Sequence, residues 1–177
     1  MAPQWRDRPR CTRADGGRDA AAAGRAMTTI RLATRDDRAG WEALWCACCA
    51  HFRADLMTAE VVAGIWRRIL DPQFPMQAWL ALGDTGAVGL AHTILHPRTF
   101  SLRMVCTLED LWVAPHARGQ GAATALIGHL ADVGRRSGWD RVQWETGLDN
   151  QRAARLYERL ATPRPTRTYQ IDLVSRP

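Results

Sequence analysis

A chain of 177 residues, 46% hydrophobic and 24% charged, has the make-up of one globular domain that buries its core without disulfide or metal staples. No apolar run approaches the roughly 20 residues that a membrane-spanning helix needs, so no membrane partner is expected. All 24 basic residues are arginine, and six of them precede Met27 with only three aspartates, so this leading segment supplies half of the +6 net charge. The remainder is too mildly basic to argue for nucleic acid.

Residues 1–27 mix Arg, Asp, Gly and an alanine run without the apolar stretch of a secretory signal. Their aspartates also fit a mitochondrial presequence poorly. They read as a disordered or mis-started tail, and the folded domain is expected at 28–177. Its first strand is predicted at Ile30–Ala33. From Asp37 a helix follows, with Trp41, Leu44, Trp45, Cys48 and Phe52 at helical spacing. A second helix is expected from Thr58 to Leu70, stopped by Asp71-Pro72. Met76–Leu82 and Ala87–Leu95 read as strands joined by Gly83-Asp84-Thr85-Gly86, a hairpin signal. Phe100–Val105 is expected to pair as a further segment feeding a strand through Leu111-Trp112-Val113.

A helix opens at Gly121 with Ala123, Leu126, Ile127, Leu130 and Val133 on one face, and Ser137-Gly138 closes it. Arg141–Glu145 alternates as a strand, and Asp149 or Asn150 caps a helix striped by Ala153, Leu156, Tyr157 and Leu160. Beyond Pro163 and Pro165 a last strand is predicted at Tyr169–Val174. This order is α/β or α+β, with helix-connected strands in the C-terminal half.

The five cysteines, Cys11, Cys46, Cys48, Cys49 and Cys106, form neither a disulfide framework nor a zinc-ligand pattern. They read as reduced thiols of a cytoplasmic protein, and no metal is expected.

Chemistry concentrates between Leu108 and Ala123. A strand carrying Glu109 and Asp110 turns into Arg118-Gly119-Gln120-Gly121, where a helix begins. Glycines at such a junction let backbone N–H groups converge on a phosphate at the positive end of the helix. A P-loop is excluded because that motif needs lysine, and a dinucleotide fingerprint fails because Thr124 holds its third small position. Glu109 and Asp110 are neighbours, so a regular strand sends them to opposite faces and a bulge would change that parity. Which acid faces a pocket stays open. Each acid also reads as a solvated edge residue, Tyr157 as a core tyrosine and Asn150 as a plain helix cap. Arg118 reads as a surface charge or a phosphate partner, and His116 as a solvated loop residue. Trp112 reads as core before an aromatic clamp, and Trp45, Phe52 and Trp66 read first as core, with an aromatic wall around an acceptor as the alternative.

Arg118 to Ala123 fits Arg/Gln-x-x-Gly-x-Gly/Ala, and on this motif the chain resembles the GCN5-related N-acetyltransferase (GNAT) superfamily. Asn150-x-x-Ala153-x-x-x-Tyr157 is similar to that superfamily's second cofactor-side helix. Leu108-Glu109-Asp110-Leu111 with Val113-x-Pro115 is similar to its spermidine/spermine and bacterial histone-acetyltransferase-like branch. The resemblance spans Leu108 to Tyr157. It implies a mixed, mostly antiparallel sheet flanked by helices, with splayed parallel central strands holding acetyl-CoA. It further implies direct acetyl transfer to a primary amine in a ternary complex: a polyamine, an amino-acid-like amine or a basic peptide. Cofactor contacts would come from Leu111, Trp112, Val113, Arg118, Gly119, Gln120, Gly121, Ala122, Ala123, Asn150 and Tyr157. Glu109 would accept the amine proton, Asp110 would hold the substrate, and Tyr157 would protonate the leaving thiolate. A homodimer is the family expectation. Two departures put the acceptor side in doubt: Ala161-Thr162 stands where the family has Gly and an aromatic, and residues 162–168 are short and proline-bearing. A non-catalytic acyl-CoA sensor is the alternative of a different class.

Overall fold

The computed structural model describes residues 28–54 and 57–173. They fall into two compact units, one ending at Glu145 and the other beginning at Thr146. The expected tail, 1–27, lies outside the described residues.

The first unit contains β1 (Thr29–Leu32), α1 (Arg38–Phe52), α2 (Ala59–Leu70), β2 (Met76–Gly83), β3 (Gly86–Pro97), β4 (Met104–Val113), α3 (Ala122–Arg136) and β5 (Arg141–Gln143). The sheet runs in order β1-β2-β3-β4-β5. Its first four strands are antiparallel neighbours, and β5 alone lies parallel, to β4. A parallel neighbour requires a crossover, and α3 supplies it. This mixed, mostly antiparallel sheet flanked by helices is the fold class expected from the sequence.

Side-chain alternation assigns the helices to opposite faces. His92 and Thr93 are neighbours on β3, so they point to opposite sides. His92 packs against Trp41 and Trp45 of α1, whereas Thr93 accepts from the Trp79 indole, which packs on His129 of α3. The larger cluster lies under α1 and α2, where Trp41, Leu44, Trp45, Val62, Trp66 and Ile69 cover Ala78, Leu80 and Leu90. Trp45 and Trp66 are therefore core residues. Phe52 closes the α1 stripe in sequence but is 63% exposed, as the last helical residue before Arg53, whose left-handed conformation (φ 53°) ends the helix.

Two expectations are corrected. Phe100–Leu102 is no strand: Phe100 and Leu102 are fully exposed in a loop, and β4 begins at Met104. Tyr169–Leu173 is irregular and exposed, and Val174 lies outside the described residues. Alternation of Tyr169, Ile171 and Leu173 marks residues that suit a strand, but a strand exists only where a ladder satisfies its backbone. Among the described residues of the second unit, the one regular element is α4 (Gln151–Tyr157).

Entry into α1 is fixed by a charge pair. Both terminal guanidinium nitrogens of Arg31 donate to Asp37, at 2.6 and 2.8 Å, and the same carboxylate accepts from Thr34 N–H and Oγ1. The Arg31 hydrogen bond, helped by those of Thr34, holds the Asp37 carboxyl well below the usual carboxylate range. A depressed folded-state pKa gives stability that is present above the unfolded value, about 3.9, and lost as pH falls toward the folded one. Asp37→Asn should therefore lower the melting temperature by several degrees at pH 7. The gap to the unaltered protein should narrow progressively once pH falls below about 4, and should close only as pH passes the far lower folded-state value, in calorimetric scans.

Candidate active site

β4 is bonded to β3 over its whole length, but to β5 only through Val105, Cys106 and Thr107. Beyond Thr107, among the described residues, its far edge has no strand partner. Ala114 N–H donates to Val88 O of β3 at 2.9 Å. Backbone direction alternates along a strand, so Leu111 and Val113 turn their N–H and C=O groups to the edge that β5 vacates. That edge offers hydrogen-bonding groups to an extended ligand.

The vacated edge leads directly into the glycine turn. Pro115–Ala117 forms a single 3-10 turn, and Gly119 and Gly121 then adopt φ 81° and 91°, a region L side chains rarely occupy. Gly121 is the N-cap of α3 and carries no side chain to bond the first N–H groups of the helix. A Cβ added at Gly119 would meet nothing within 4 Å, so the turn is open above its backbone. Uncapped donors at the positive end of a 15-residue helix suit a pyrophosphate. Among the residues expected to line this turn, Gly119 and Gln120 are exposed, Ala123 is half-buried and Ala122 is buried. The Gln120 side chain folds back to donate to His116 O at 3.2 Å. Arg118 is half-buried, with Nε donating to Val113 O at 3.0 Å and its guanidinium 4.6 Å from the Trp112 ring centre. It ties the loop to the strand end while leaving its terminal nitrogens for an anion.

The order of the two acids is set by a bulge. Register passes from His92↔Asp110 to Thr93↔Leu108, so Glu109 is the extra residue. Leu108 shares Thr93's face, toward α3, and Asp110 shares His92's face, toward α1. Without the bulge both would face alike. Glu109 is exposed on the bulge, while Asp110 is half-buried with Oδ2 3.0 Å from His92 Nδ1. His92 is a polar residue of this site that the sequence did not single out. Its one signal is a histidine within an otherwise apolar and small strand, Val88 to Leu95.

Trp112 stands on the Asp110 face, buried, with His51 and Phe52 against its ring at 5.1 and 6.4 Å. Cys48 and Cys49 lie in the α1 wall near Asp110. Burial first, and the Asp110 charge second, push the Cys48 thiol up to about 12, so it stays neutral. In the second unit Asn150 caps α4 by accepting from Ala153 N–H at 3.2 Å. Tyr157 ends that helix half-buried, and burial raises its phenol above the ordinary value. It is therefore protonated at neutral pH.

The left-handed cap makes a prediction independent of ligand. Gly121→Ala should cost roughly 1 kcal/mol through backbone strain. Gly128→Ala, inside α3 where an added Cβ meets nothing, should raise stability instead. Thermal unfolding of the two variants checks the contrast.

Comparison with known proteins converges on one family. The model of the acetyltransferase (GNAT) family matches residues 41–161. The chain is 31% identical over 127 residues to the D-amino-acid N-acetyltransferase HPA3 of Saccharomyces cerevisiae, covering 71% of this chain and 78% of that protein. Its fold is similar to the crystal structure of a probable acetyltransferase, with a TM-score of 0.74 at 23% identity over 84% of this chain and 99% of that one. It is also similar to a ribosomal-protein-alanine N-acetyltransferase from Brucella melitensis biovar Abortus 2308, with a TM-score of 0.71 at 20% identity over 83% and 99% of the two chains. At these identities the structural likeness speaks to fold, while the family match covers most of the chain. The chain belongs to the GNAT acetyltransferase family and is an N-acetyltransferase.

Proposed function

We propose that this N-acetyltransferase moves the acetyl group of acetyl-CoA directly to a primary amine bound beside it. The observation that carries the reading is the β4 edge vacated by β5, running straight into an uncapped glycine turn at the N-terminus of α3. The Gly119 to Ala123 backbone and the Arg118 guanidinium would receive the pyrophosphate, and Leu111 and Val113 the extended arm. Trp112 flanks this stretch, and the family resemblance gives Asn150 a cofactor-binding role as well. The family match, from 41 through 161, favours one catalytic domain over 28–177.

An alkyl amine has a pKa near 10 and arrives as ammonium, so it must lose a proton before its lone pair attacks the thioester carbon. Glu109, exposed on the bulge, would take that proton through water. As the N–C bond forms and the C–S bond breaks, the thiolate needs a proton, which Tyr157 would supply. A phenol kept protonated by burial suits that role. Asp110 would hold the cationic acceptor. The acceptor proposed is a small amine or basic peptide, with a polyamine or an amino-acid-like amine as leading classes; the yeast relative is named for D-amino acids.

Purified protein with acetyl-CoA should release free thiol in the presence of at least one member of a panel of polyamines, amino acids, aminoglycosides and basic peptides. Binding of acetyl-CoA without turnover on any amine would favour an acyl-CoA sensor. Tyr157→Phe should lower kcat about 100-fold while leaving acetyl-CoA affinity within a factor of about three. Unchanged turnover would remove Tyr157 from the mechanism.

A further inference from the structure

The acid turned inward by the bulge ends a three-residue chain that no motif announces. The Trp41 indole donates to His92 Nε2 at 2.8 Å, and His92 Nδ1 lies 3.0 Å from Asp110 Oδ2. An indole nitrogen can only donate, so His92 Nε2 is the acceptor and carries no proton. The proton of the neutral imidazole then sits on Nδ1 and is donated to Asp110. Trp41 and His92 are wholly buried, whereas a third of the Asp110 side chain is exposed. Rings on α1 fix the imidazole plane, with Trp45 at 4.7 Å edge-on. The relay thus runs from the centre of the core to a carboxylate at its surface.

What that carboxylate lacks is equally informative. The chain has 24 arginines and a net charge of +6, yet among the described residues none forms an ion pair with Asp110. An arginine would orient the carboxylate and cancel its charge; a neutral imidazole orients it and leaves the charge intact. The neighbouring Cys48 thiol is neutral as well.

We propose that His92, its tautomer set by Trp41, is a positioning residue for acceptor selection, acting only through Asp110. It holds Asp110 as an oriented, unneutralised anion that selects acceptors carrying a second positive charge beyond the amine being acetylated. This inference rests on the acetyltransferase reading above, with Asp110 on the acceptor side.

The test compares a linear alkyl diamine with the monoamine of equal length, both with acetyl-CoA. Losing a hydrogen bond to a charged group is worth about 2 kcal/mol, so His92→Phe should cut kcat/KM for the diamine roughly 30-fold, chiefly through KM. Monoamine turnover and acetyl-CoA affinity should stay within about threefold. His92→Asn, which keeps a donor toward Asp110, should restore most of the diamine preference. Equal losses on both amines, or a preference that survives His92→Phe, would overturn the proposal. Should His92→Phe not fold, nitrogen-15 NMR of the unaltered protein decides: protonated Nδ1 with bare Nε2 supports the relay, and the opposite tautomer overturns it. An unaltered protein inactive on every amine would count against acetyl transfer itself. The NMR measurement, with calorimetric binding of diamine against monoamine, would then judge the relay alone.

Discussion

Everything at this site depends on the unequal pairing of β4. One edge is bonded to β3 throughout, and the other meets β5 over only three residues. Backbone amides that lose their partner must find another, in water or in a ligand. Because the vacated stretch is continuous with the turn at Gly119 to Gly121, the unpaired strand edge and the uncapped helix terminus form one track of donors. The sheet supplies rigidity on the β3 side, and the opening supplies binding capacity on the β5 side.

The bulge at Glu109 works on the same strand in the transverse direction. A single inserted residue reverses the parity of all that follows, sending Asp110 and Trp112 toward α1 while Leu108 stays with α3. The strand thereby presents backbone along its edge and a carboxylate across its face, the two surfaces that the proposed two-substrate reading calls for. Beside the carboxylate lie the His92 imidazole, 3.0 Å away, and the Cys48 thiol, which burial keeps protonated.

Much of this was legible in the residues. Helical spacing located α1 and α3, the Asp71-Pro72 stop bounded α2, the Gly83–Gly86 turn located the hairpin, and the cap of α4 was narrowed to Asp149 or Asn150. Local rules sufficed there because the forces are local: turn conformation, capping bonds and the period of a buried stripe. The same rules over-extended at Phe52, Phe100–Leu102 and Tyr169–Leu173. Those apolar residues carry a pattern, but a pattern becomes a stripe or a strand only where something lies opposite it. Proximity of Glu109 and Asp110 to a phosphate turn was visible too, yet their division into an exposed and an inward acid was not.

The sequence by itself determined the family, the glycine turn and the helix that receives it, since these are fixed by conformations that only particular residues adopt at particular positions. The tertiary structure alone decided which acid points inward and what holds it. Trp41 and His92 are 51 residues apart, and His92 and Asp110 are 18 apart. Their bonds exist because strand register and helix packing bring three remote side chains onto one face, and no local preference encodes that meeting.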